Sequence, residues 1–98
     1  MTARPKRDAA ALFGRALKAH VQGLGHAITL ADIRARPWAS ATFEGERVEL
    51  SAQGADPAWT ASLGEAGLDV RGYLVADLVA RPMNAATVRV EALLIRDA

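Results

Sequence analysis

Two runs near the C-terminus, "DVRGYLVADLVA" at 69–80 and "TVRVEALLIR" at 87–96, constrain the fold more than anything else in the chain. Both alternate with the period of two that belongs to a strand, and "RPMNAA" between them supplies a turn. They read as neighbouring antiparallel strands. In the first, Val70, Leu74, Ala76, Leu78 and Ala80 share one parity, and Tyr73, Val75, Asp77 and Val79 the other. In the second, Val88, Val90, Ala92 and Leu94 oppose Arg89, Glu91, Leu93 and Ile95. A sheet with one face in water normally carries polar residues on that face. Here the second face keeps Tyr73, Val75, Val79, Leu93 and Ile95, a contiguous apolar set on adjacent strands.

Something has to cover that set. A chain of 98 residues makes one domain, 1–98, and has enough helix for one side of a sheet only. Ala supplies nearly half of the 51% hydrophobic residues and buries little area, so the core is thin and association is a natural source of stability. The simplest cover is a second copy of the same chain, and Tyr73, Val75, Val79, Leu93 and Ile95 are the expected dimer face. On this reading Asp77, Arg89 and Glu91 form cross-strand or intersubunit charge pairs rather than acid–base machinery.

The remaining elements follow from local signals. Asp8 is placed to cap a helix running to about Gln22, ended by Gly23 or Gly25, with Leu12, Phe13, Ala16, Leu17, Val21 and Leu24 on its apolar face. Residues 1–7 are basic, interrupted by Pro5, and expected to be flexible. "AITLADIRAR" predicts a strand whose alternation changes phase between Leu30 and Ala31, the mark of a bulge or of burial on both faces. Pro37 places a turn at Arg36–Pro37 and makes "WASATF" a separate strand with Ala39, Ala41 and Phe43 inward. "EGER" at 44–47 is then either a hairpin turn or a Gly bulge in one long strand. "DPAWTASLG" gives a second helix, with Asp56 capping, Pro57 in the first position and Trp59–Leu63 as an i, i+4 pair, kept short by Gly64 and Gly67. The predicted fold is α+β: an antiparallel sheet of four or five strands with two helices on one face, in the order α-β-β-(β)-α-β-β.

The order helix–strand–strand–strand–helix resembles that of double-stranded RNA-binding domains. That family starts its second helix with a Lys-rich segment that tracks phosphates, whereas "DPAWTASLGE" contains no Lys or Arg. The resemblance therefore implies no RNA-binding function here.

Charge is unevenly spread: eight of the twelve basic residues, but only four of the eleven acids, lie at or before Arg47. Within that half, Arg34, Arg36, Trp38 and Arg47 form a candidate anion or nucleic-acid surface, where an indole stacks a base and guanidinium groups hold a phosphate. Asp32, Glu44 and Glu46 lie close by and oppose it. The competing reading folds Trp38 over the edge of the core with an Arg stacked on it.

Other chemistry finds little support. The chain has no Cys, so thiolate catalysis, disulfides and Cys-ligated metals are excluded. His20 sits on the apolar side of the first helix as a core-edge imidazole, and His26 follows the helix end. No spacing of His and carboxylates matches a metal site, and no Ser is flanked by nucleophile-elbow glycines. No glycine-rich stretch follows a strand and opens a helix as a nucleotide loop would. No cofactor and no membrane partner are expected, since no apolar run approaches the length of a membrane span. The reading is a small cytoplasmic, non-enzymatic homodimer working through interaction surfaces. The alternatives are the basic–aromatic nucleic-acid binder and a small-molecule pocket between helices and sheet.

Overall fold

The computed structural model describes residues 9–54 and 56–96. The segment 1–7 and the capping Asp8 lie outside the described residues. The first element, helix α1 (Ala9–Gly23), buries Ala10, Phe13, Leu17 and Val21 on one face, three and four residues apart as its period requires. It ends in a Schellman arrangement. The His26 N–H donates to the Val21 carbonyl at 3.1 Å and the Gly25 N–H to that of Gln22 at 2.9 Å, with Gly25 in the left-handed region at φ 86°. Leu24, expected on the apolar face, lies beyond the last turn and is exposed.

Four strands form one antiparallel sheet: β1 (Thr29–Ala39), β2 (Glu44–Gln53), β3 (Tyr73–Pro82) and β4 (Thr87–Arg96), in the spatial order β1-β2-β4-β3. The fold is α+β with one helix of full length. The optional fifth strand does not form, and the second predicted helix is reduced to a single turn. "WASATF" fails as a strand because β1 runs straight through Pro37 to Ala39. A proline is tolerated there because β1 is an edge strand, so its missing N–H costs no ladder bond. The chain reverses at Ser40–Phe43 instead, where the Ser40 N–H donates to the Phe43 carbonyl at 2.8 Å and the Phe43 N–H to Ser40 Oγ at 3.2 Å. Ala39, Ala41 and Phe43, expected inward, are all exposed, and Glu44–Arg47 is neither turn nor bulge but the start of β2. The three-strand order behind the likeness to double-stranded RNA-binding domains is thus absent.

The second predicted helix shrinks to one turn, Pro57–Thr60, followed by a 3-10 turn, Leu63–Glu65. Two hydroxyls compete for its carbonyls: Thr60 Oγ1 donates to Asp56 O at 3.0 Å and Ser62 Oγ to Trp59 O at 2.8 Å. The short connection still does a helix's packing. Trp59 is fully buried with its Nε1–H donating to Gly54 O at 3.1 Å, and Leu63 is buried beside it in the same core.

The core lies on one side of the sheet. Phe13, Leu17 and Val21 of α1 cluster there with Val48 and Leu50 of β2, with Val88, Val90, Ala92 and Leu94 of β4, and with Trp59 and Leu63. Each large side chain taken fully from water contributes about 1.5–3 kcal/mol. With so few of them, no single one is dispensable.

Both edge strands carry a bulge, and these set which residues face away from the core. In β1 the register slips between Ala31 and Arg34, with Asp32 at φ 52°, so the phase change in the sequence is a bulge. In β3 it slips between Val75 and Asp77. The second slip corrects the expected dimer face. Tyr73 (8% exposed) is part of the core and Val75 packs against it, whereas Leu74, expected inward, is 56% exposed on the other side.

Candidate functional site

Among the described residues no helix lies over the face of the sheet opposite the core, and the register arranges that face as four rows crossing β1, β2, β4 and β3 in turn. The first is Ala31, Ser51, Arg89, Arg81. The second is Arg34, Glu49, Glu91, Val79. The third is Arg36, Arg47, Leu93, Asp77. The fourth is Trp38, Gly45, Ile95, Leu74. The central pairing of β2 with β4 runs unbroken from Gly45↔Ile95 to Gln53↔Thr87, which makes this face a rigid platform.

The fourth row is apolar from edge to edge. Gly45 is buried although it has no side chain, and its row neighbours Trp38 and Ile95 are both half-buried. An added Cβ at Gly45 would run into the Leu94 carbonyl oxygen, so no other residue fits the backbone there. Leu74 ends the row, and Leu93 extends the apolar area into the third.

Charges dominate the other rows. Arg89 Nη2 donates to Glu49 Oε1 at 2.7 Å, and Arg81 Nε lies 3.8 Å from Glu91 Oε2. Within the chain Asp77 pairs with neither Arg89 nor Glu91: its Oδ1 accepts from the Leu78 N–H at 3.0 Å. The Arg89 hydrogen bond holds the Glu49 carboxyl below its ordinary range, and the charges of Arg36 and Arg34 act in the same direction.

Arg34, Arg36 and Arg47, expected as an anion surface, do come together. With Glu49 they line a cleft of about 290 Å³, and Trp38 stands one row further along the same face. Arg36 and Arg47 are direct cross-strand partners, a like-charge pairing that costs stability unless an anion joins it. Neither has a carboxylate within ion-pair distance among the described residues. Of the expected dimer face, Val79, Leu93 and Ile95 lie on this open side, and Tyr73 and Val75 do not. The sequence reading missed Leu74. The signal was Asp77, a charge inside an apolar run, which marks where β3 changes phase.

Away from this face, His20 Nε2 lies 3.2 Å from Ser62 Oγ. The Ser62 hydroxyl hydrogen is committed to Trp59 O, so His20 is the donor and the pair ties α1 to the connecting turn. A second cleft, about 300 Å³, lies between the Pro57–Thr60 turn and the β3–β4 hairpin, lined mainly by aliphatic and hydroxyl groups. No group of three or more His, Asp or Glu among the described residues is arranged to hold a metal ion. No helix among them is long and apolar enough to cross a membrane.

Comparison of the chain with protein-family models, with curated proteins and with solved structures finds no match.

Proposed function

We propose that this chain is a small non-enzymatic interaction module that binds a second copy of itself through the open face of its sheet. The observation that carries the reading is the fourth row. Trp38, Ile95 and Leu74, with Leu93 beside them, form a continuous apolar bar on a face that no element among the described residues covers. Four strands about 4.8 Å apart and four rows about 6.8 Å apart give the face roughly 500 Å² in projection. Side-chain relief raises the accessible area toward the roughly 600–1,000 Å² per partner of a specific interface.

The test is light scattering after size exclusion, and sedimentation equilibrium, on the full chain from low micromolar to several hundred micromolar. The expected result is a mass twice the chain's 10.4 kDa, reverting to one chain in Leu74→Asp with the far-ultraviolet spectrum unchanged. A monomer throughout that range refutes the reading.

A second reading rests on the convergence of Arg34, Arg36 and Arg47 beside Trp38. Three cations and an indole on one face suit a phosphate with a stacked base. It predicts binding of single-stranded nucleic acid that weakens steeply with salt and is lost in Arg36→Ala or Trp38→Ala. Binding that is absent at low salt removes it.

A further inference from the structure

The homodimer reading leaves open how two copies face each other, and the charges of the third row choose among the orientations. That row begins at one sheet edge with Arg36 and Arg47 and ends at the other with Asp77. None of the three is in an ion pair among the described residues. Arg36 and Asp77 are three strand spacings apart, roughly 14 Å, so they cannot meet within one sheet.

We propose that the dimer axis runs along the strands through the middle of the open face, placing Arg36 of each copy opposite Asp77 of the partner subunit. This rests on the homodimer reading and adds its geometry. A two-fold axis in that direction lays β1 over the partner's β3 and β2 over the partner's β4 while keeping every row level. The apolar row then meets the apolar row, with Trp38 against Leu74 of the partner subunit. Arg47, next to Arg36, comes within reach of the same carboxylate. In the second row Glu49 faces Glu91 of the partner subunit, and each is already paired with an arginine of its own chain.

The other symmetric orientations fail on the same residues. An axis across the strands reverses the order of rows, stacking Arg34 over Arg36 of the partner subunit and setting Leu74 and Ile95 against Arg81 and Arg89. An axis along one diagonal sets Arg47, unpaired among the described residues, over its own copy, and an axis along the other does not bring Arg36 opposite Asp77 of the partner subunit. Like charges that have no partner in their own chain and face each other across a closed interface are strongly unfavourable. Edge-to-edge pairing is blocked as well, because both edge strands are bulged and Pro37 and Pro82 interrupt their donors.

The test is a charge exchange between subunits. Arg36→Asp and Asp77→Arg are made singly, each checked for an unchanged far-ultraviolet spectrum and cooperative melt, with Asp77→Lys as a second choice of cation. Each single variant places two like-charge contacts in the dimer and should raise its dissociation constant by about tenfold or more. Mixed in equal amounts, the two variants should form a heterodimer of near wild-type affinity, since one contact is then the native pair and the other its reverse. The double variant R36D/D77R should dimerise with itself. If wild type is dimeric but the single variants dimerise normally, or their mixture stays monomeric, the axis is wrong and the interaction reading stands. If wild type is monomeric at every concentration, both fall.

Discussion

Replacing Gly45 by Ala is the sharpest perturbation the structure offers. Its Cβ would overlap the Leu94 carbonyl oxygen and lie 2.9 Å from the Ile95 Cα, and both are backbone atoms of the paired central strand β4. No rotamer change relieves the contact. If the strands stay paired, the overpacking costs about 1–3 kcal/mol. If β2 frays at its first residues instead, one or two ladder hydrogen bonds are lost at about 1 kcal/mol each. Fraying also returns part of Trp38 and Ile95 to water, at about 25 cal/mol per Å². Both routes converge on about 2–3 kcal/mol. For a chain this short, each kcal/mol shifts the melting midpoint by about 4–8 °C, so G45A should melt roughly 10–20 °C lower. Thermal and urea unfolding followed by far-ultraviolet circular dichroism, at one fixed protein concentration, measures this. Gly64→Ala is the control: nothing lies within 4 Å of a Cβ there, and the loss of unfolded-state freedom should leave stability equal or raised by up to about 1 kcal/mol. A G45A midpoint within about 2 °C of wild type would refute the packing argument.

Two further outcomes follow from the same structure. Glu49 is held ionised in the fold by Arg89, so its folded pKa lies below its unfolded one and its contribution is present above the ordinary carboxylate range. That contribution is lost as pH falls through the folded pKa, so the stability gap between wild type and Glu49→Gln should close in acid; a gap constant from neutral to acid pH contradicts the assignment. Trp59→Ala removes the largest fully buried side chain and should cost about 3–5 kcal/mol, enough to leave a small domain largely unfolded at 37 °C, whereas Trp38→Ala should leave the fold intact. Cooperative melts of both variants decide this, and equal losses would count against the assignment of Trp59 to the core and Trp38 to the open face.

Several parts of the fold were legible because local rules govern them. The Thr87–Arg96 strand reads from strict alternation, and its inward residues, Val88, Val90, Ala92 and Leu94, are the ones the core holds. The first helix reads from its period and its terminal glycines, and the phase change after Leu30 marks a bulge that exists. Arg34, Arg36 and Trp38 share a face because residues two apart in a strand must do so.

Other features depended on neighbours that lie far away in the sequence. Pro37 signals a break only if its strand is flanked on both sides; that β1 is an edge strand follows from β2 pairing with β4, which no local pattern records. Ala39, Ala41 and Phe43 alternate like core residues yet are exposed, because the chain turns at Ser40–Phe43. The slip between Val75 and Asp77 exchanges Tyr73 and Val75 for Leu74 on the open face, since a single extra residue reverses parity from that point on. Periodicity along the chain thus determined the first helix, the Thr87–Arg96 strand and the phase change in β1. The tertiary register alone decided which residues meet on one row, because pairing across a sheet is set by the packing of the whole face and not by any one strand.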